Sequence, residues 1–160
     1  MSNLKRILFA EDSERDIELA IEAFTEHHLA NTVEVARDGA EALDYLYRRG
    51  NYADRPAGNP AVVLLDLKMP RVDGLEVLRQ IKSDPDLKKI PVVMMTSSRE
   101  QQDLDKAYEL GVNSYVVKPV KFSDFLDNVA KLGMFWALVN EPPPGSVPKA
   151  ENPSVAGAAT

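Results

Sequence analysis

The chain of 160 residues contains no cysteine. That absence excludes a disulfide framework, a thiolate zinc site and a cysteine nucleophile, and it fits a reducing compartment. The chain also lacks any apolar run near the roughly 20 residues needed to cross a bilayer. It has no excess of positive charge: 19 basic residues against 25 acidic ones leave a net charge of −6. Nucleic acids and anionic membranes attract a positive footprint, so neither is an expected partner. The start, MSNLKRILFAEDSE, turns acidic straight after a short apolar run and has no small-residue cleavage site. It does not read as a signal peptide, and a cytoplasmic location is expected. What is present is an ordinary globular composition, 44% apolar and 28% charged, in a length typical of one domain. A chain of this size buries a core without metal or disulfide staples.

Residues 141–160 differ in kind from the rest. They hold five of the eleven prolines, four alanines and no aromatic residue. Such a segment buries too little apolar area to offset its ordering entropy, so a disordered or extended tail is expected. A proline-rich docking arm is the alternative, because Pro142-Pro143-Pro144 favours polyproline II. Residues 1–140 are expected to form the domain.

Within that domain, short apolar runs alternate with longer stretches of helical spacing. Arg6–Ala10, Val33–Ala36, Ala61–Leu67, Pro91–Met95 and Ser114–Val117 have the length and Val/Ile/Leu content of strands. Between them, sets such as Ile17, Ala20, Ile21 and Phe24, or Phe122, Phe125, Val129 and Leu132, form one apolar stripe each. Ser13, Asp38 and Ser123 stand at helix starts, and Gly50, Gly111 and Gly133 at or near helix ends. Five strands alternating with five helices predict an α/β fold: a doubly wound parallel sheet with helices on both faces. Val33–Ala36 alternates apolar with polar and belongs at an edge; Ala61–Leu65 is uniformly apolar and belongs in the centre. The connection Asn51–Pro60 is long for a helix-to-strand loop.

Parallel sheets bind ligands beyond the carboxyl ends of their strands. Here those ends carry Glu11-Asp12, Asp38, Asp66, Thr96-Ser97-Ser98 and Lys118-Pro119. Taken singly, each has a plain reading. Asp12 is a helix cap, Thr96 a strand-edge hydroxyl, Lys118 a solvated charge and Tyr115 a buried strand aromatic. Taken together, they put three carboxylates, a hydroxyl and an ammonium on one rim. Clustered carboxylates repel and raise one another's pKa, and a hard divalent cation such as Mg2+ relieves that repulsion. A carboxylate beside a metal can attack phosphorus and form an aspartyl phosphate. Asp66, on the expected central strand, is the best candidate nucleophile.

These residues fall in a recognisable series: Leu8-Phe9-Ala10-Glu11-Asp12; Leu64-Leu65-Asp66-Leu67-Lys68-Met69-Pro70 with Asp73-Gly74; Val93-Met94-Met95-Thr96-Ser97; and Tyr115-Val116-Val117-Lys118-Pro119. The series resembles the response-regulator receiver domain of two-component signalling across residues 4 to about 139. The resemblance implies a flavodoxin-like five-stranded sheet of order 2-1-3-4-5. It implies that Asp66 accepts a phosphoryl group from a histidine kinase. It implies Mg2+ on Asp12, Asp66 and the Lys68 backbone carbonyl, with Glu11 assisting. Thr96 is then the switch hydroxyl, Tyr115 the switch aromatic and Lys118 the partner of the phosphoryl group. Lys118-Pro119 is expected to be a cis peptide, which is cheap before proline.

The loop Asn51–Pro60 and the ending Trp136-Ala137-Leu138-Val139-Asn140-Glu141-Pro142-Pro143 are similar to single-domain regulators paired with phytochrome-type kinases. Competing readings fit less well. A flavin-binding relative needs a phosphate-cradling loop after strand one, where this chain has Glu11-Asp12. A dehalogenase-like phosphatase resembles D-x-D, and the second position here is Lys68. Only about twenty residues follow the receiver-like part, so no DNA-binding output is expected. Output is expected through protein contacts: a homodimer using the face of residues 100–139, the C-terminal extension, or both. The chain is expected not to be an enzyme beyond turning over its own phosphoryl group.

Overall fold

In the computed structural model, which describes residues 5–146, five strands form one parallel sheet in the order β2-β1-β3-β4-β5. The strands are β1 (Ile7–Ala10), β2 (Val33–Ala36), β3 (Val62–Leu65), β4 (Val92–Thr96) and β5 (Ser114–Val117). The helices are α1 (Glu14–Glu26), α2 (Gly39–Tyr47), α3 (Gly74–Ser83), α4 (Gln101–Glu109) and α5 (Phe122–Met134). Val33–Ala36 lies at the edge and Val62–Leu65 in the middle, as the patterning predicts. The expected strand Ala61–Leu67 stops at Leu65, because Asp66 and Leu67 already belong to the loop that leads to α3.

Successive residues along a strand point to opposite faces, so each central strand feeds two cores. Leu8, Val63, Leu65, Val92 and Met94 pack under α2, α3 and α4. Ile7, Phe9, Val62, Leu64, Val93 and Met95 pack under α1 and α5. The chain leaves β1 for one edge and returns to β3 on the other side of β1, so the strand order reverses between β1 and β3. Their carboxyl ends, Ala10 and Leu65, open the crevice where such sheets bind ligands.

Most capping expectations hold. The Ser13 hydroxyl accepts from the Asp16 amide, and the Asp38 carboxylate accepts from the Glu41 amide at 2.8 Å. Gly111 follows α4 with φ +96°, a backbone that favours glycine. Two expectations fail. Lys121, not Ser123, stands at the start of α5, and no side chain caps it. Gly133 is not a helix end: α5 runs on to Met134 and then into a π-helical turn over Phe135–Val139. The glycine is there for space, since a Cβ would meet the buried Phe24 ring at 2.6 Å where α1 crosses α5. The turn that follows buries Ala137 and half-buries Trp136 against the α1/α5 core, and leaves Phe135, Leu138 and Val139 exposed.

The long loop 51–60 is pinned to α2. The Arg55 guanidinium stacks over Tyr45 at 4.2 Å and donates to the carbonyls of Tyr45, Pro56 and Gly58. Of the expected tail, Glu141–Ser146 are described: the Asn59 amide donates to Gly145 at 2.9 Å, bringing this segment against the same loop. Residues 147–160 lie outside the described residues. No helix among the described residues is long and apolar enough to cross a membrane.

Candidate functional site

The crevice at the ends of β1 and β3 gathers the acids. Glu11 is fully buried; one carboxylate oxygen accepts the Asp12 and Ser13 amides at 3.0 and 3.2 Å, and the other meets the Lys118 ammonium. Asp12 is exposed at the mouth. Asp66 is held by the Leu67 amide at 2.8 Å and lies 3.5 Å from Lys118 Nζ. One oxygen each from Glu11, Asp12 and Asp66 falls within 4.8 Å of the others. Donors 2.0–2.6 Å from one hard cation span up to about 4–5 Å, so these three fit a single ion of the Mg2+ or Ca2+ class.

The electrostatics are those of a site short of positive charge. Burial, then the neighbouring Asp66, push Glu11 up to about 8, and Lys118 only partly offsets them. Burial works against the Lys118 ammonium, but Asp16, Glu11 and Asp66 outweigh it and hold its pKa above the ordinary lysine value. Three carboxylates thus crowd one ammonium, and Asp12 adds a fourth acid at the mouth.

The hydroxyl and the aromatic lie one strand further on. Thr96 is buried at the end of β4, and its hydroxyl oxygen accepts the Ser98 amide at 3.3 Å. Tyr115, on β5 opposite Met94, donates its hydroxyl to the Ser98 carbonyl at 3.0 Å. Ser98 therefore touches both residues, and its own hydroxyl donates to Asp103 on α4 at 2.6 Å. Lys68 is exposed on the loop after Asp66. Gly74 lets α3 start against the Asp66 backbone, where a Cβ would lie 2.1 Å from the carbonyl oxygen. The Lys118–Pro119 peptide is trans, against expectation. In this conformation the lysine still reaches all three carboxylates, so the approach does not depend on a cis bond.

The geometry adds residues the motifs did not single out. Asp16 has the spacing of a capping-box acid after Ser13, but its carboxylate accepts from Lys118 at 2.8 Å. Its position one helical turn after Asp12 was the available signal. Ser98 stood among the strand-end residues, but its links to Tyr115 and Asp103 come from contacts on two other elements. A cleft of about 270 Å³ opens beside the site between α1 and the start of α5, lined by Asp16, Lys118, Pro119, Val120, Phe122 and Phe125.

The family model for the response regulator receiver domain matches residues 7–130. The chain is a response-regulator receiver. The receiver is 39% identical to the response regulator Rcp1 of Synechocystis sp. over 132 residues, 82% of this chain and 88% of Rcp1. The Mn2+-bound form of Rcp1 superposes with a TM-score of 0.80 at 38% identity, covering 87% of this chain and 99% of that one. The phosphorylated cyanobacterial phytochrome response regulator RcpA gives 0.81 at 39% identity, covering 88% and 99%. The bacteriophytochrome response regulator AtBRR is 60% identical with a TM-score of 0.68, covering 86% and 99%. The receiver is thus homologous to phytochrome response regulators, and its fold matches theirs.

Proposed function

We propose that this receiver accepts a phosphoryl group on Asp66 from the phosphohistidine of a phytochrome-type histidine kinase, in a Mg2+-dependent reaction. The observation that carries the reading is the grouping of Asp66 with Glu11, Asp12 and Lys118 at the sheet's reversal point. An Asp66 carboxylate oxygen attacks phosphorus, the phosphorus–nitrogen bond breaks, and its electron pair returns to the imidazole, leaving an acyl phosphate. Asp12, Asp66 and the Lys68 carbonyl hold the ion, with Glu11 behind them. When bound, Mg2+ neutralises charge on one phosphoryl oxygen. Lys118 pairs with a second oxygen and the Thr96 hydroxyl donates to the third. The same hydroxyl oxygen accepts the Ser98 amide, and Tyr115 donates to the Ser98 carbonyl, so a shift of Thr96 towards the phosphoryl group reaches the segment that Tyr115 holds. That link supports roles for Thr96 and Tyr115 as the switch.

The kinase partner is supported by the phytochrome regulators among the relatives and by apolar surface beside Lys118. Val120 is fully exposed and Phe122 half-exposed on the cleft next to Lys118. Signalling runs by protein contacts, with a homodimer through residues 100–139 and the C-terminal extension. Exposed Tyr108, Met134, Phe135, Leu138 and Val139 support that surface. Residues 1–140 act as the receiver and 141–160 as its tail. The protein works in the cytoplasm and catalyses only its own phosphorylation and dephosphorylation.

The test is labelling by acetyl phosphate with Mg2+. The wild type takes up one base-labile phosphoryl group, chelation of the metal abolishes it, and Asp66→Asn takes up none. Base-labile label on the Asp66→Asn variant would overturn the assignment. Gel filtration of the treated wild type and the treated Asp66→Asn variant then reads whether association follows phosphorylation.

A further inference from the structure

The loop 67–73, between Asp66 and α3, is docked on the N-terminus of α2 by three features. Arg71 has φ +65°, a left-handed backbone that side chains other than glycine rarely adopt. Its guanidinium grips the Asp38 carboxylate in a fork, Nε donating at 2.9 Å and the second nitrogen at 3.0 Å. Beside it, Gly39 lets the backbones touch, since a Cβ there would lie 1.9 Å from the Val72 carbonyl oxygen. Asp38 is itself fixed, because its carboxylate also caps α2 through the Glu41 amide.

We propose that Arg71 is a positioning residue for the divalent cation: its fork on Asp38 fixes loop 67–73, the loop that carries the Lys68 carbonyl assigned to the ion above. The proposal rests on the metal site put forward above. A bidentate Arg–carboxylate pair fixes direction as well as distance, which a lysine cannot reproduce. The left-handed backbone at Arg71 persists only where its surroundings over-determine it, and the fork supplies that constraint.

The test is Mn2+ binding by the unphosphorylated full chain, read from the free ion by electron paramagnetic resonance. Arg71→Gly removes the fork while suiting the left-handed backbone, so the fold is not penalised by strain. Its Mn2+ affinity is expected to fall roughly three- to tenfold, at or below the usual cost of losing an outer-shell partner. Asp38→Asn keeps the cap and should lose a similar factor, with the double variant no weaker than either single one. Arg71→Lys should recover part of the loss. Hydrogen exchange at the Val72 and Gly74 amides should quicken in Arg71→Gly without metal present. Wild-type affinity in Arg71→Gly, or additive losses in the double variant, would overturn the positioning role and leave the metal site standing. A wild type that bound no Mn2+ would overturn both.

Discussion

Two ion pairs of the same formal kind do opposite work in this molecule. Lys118 lies among Glu11, Asp16 and Asp66 with its side chain only 11% exposed. Arg79 pairs with Glu76 on the outer side of α3 with its side chain 52% exposed. Outside, water and salt already satisfy both charges, and the pair adds little. Inside, each charge has lost its water and depends on its neighbours, so the group is costly to keep and sensitive to any change. Three carboxylates around one buried ammonium leave the group with a surplus of negative charge. The surplus of negative charge is what a cation, and then a phosphoryl group beside it, can exploit.

The contrast can be broken most strongly at Lys118. Lys118→Met leaves Glu11 and Asp66 buried with no ammonium, and metal-free stability should fall by about 3 kcal/mol, the lower end for a broken buried pair. Burial already favours the neutral form of Glu11, which keeps the loss at that lower end. Denaturant unfolding with and without Mg2+ measures it, and added Mg2+ should recover part of the loss. Unchanged stability in the metal-free variant would mean that the interior pair is no more demanding than the surface one.

An intermediate effect is expected at Asp38, which is mostly buried but faces solvent through Arg71. Asp38→Ala loses the cap as well as the pair and should cost about 0.5–2 kcal/mol, while Asp38→Asn should keep most of the cap. Burial alone would raise this carboxyl, but Arg71 and the Glu41 and Ala40 amides outweigh it and hold the pKa below the ordinary value. A depressed carboxylate contributes stability above its unfolded pKa and loses it as pH falls through the folded one. The stability gap between wild type and Asp38→Asn should therefore narrow as a pH titration passes below the usual aspartate range.

The smallest effect belongs to the surface pair. Hydrogen bonds from Arg79 and Gln80 hold Glu76 down to about 2, so its contribution is present above about 4.5 and lost between there and 2. Arg79→Ala should leave the thermal midpoint at pH 7 nearly unchanged, and raised salt should remove any difference that remains. A loss as large as that of Lys118→Met would erase the comparison.

The rim of the sheet was legible before the structure because strand ends carry their chemistry in order. Glu11, Asp12, Asp66, Thr96 and Lys118 each follow an apolar run, and a parallel sheet brings such ends to one side. The inner strands β1, β3 and β4 were legible for a related reason: two-sided burial makes them almost wholly apolar. Asp16 was not, because one acid at that spacing serves equally as a capping residue or as a partner for Lys118 on β5. Gly133 was misread for the same kind of reason. A glycine late in a helix marks an end by local rules, whereas here it makes room for Phe24 of another helix. The fork between Arg71 and Asp38 was equally out of reach, since its two partners are distant in the chain.

The sequence by itself determined the element order, the edge and central strands, and which residues reach the functional rim. These follow from local periodicity and from the burial each pattern demands. Only the tertiary structure decided how the rim is wired: Lys118 shared among three acids, Ser98 joining Thr96 to Tyr115, and loop 67–73 docked on α2. Most of those bonds join groups far apart in the chain, Lys118 to Glu11 and Asp16 above all. Their geometry is set by how helices and loops pack on the sheet, which no local pattern encodes.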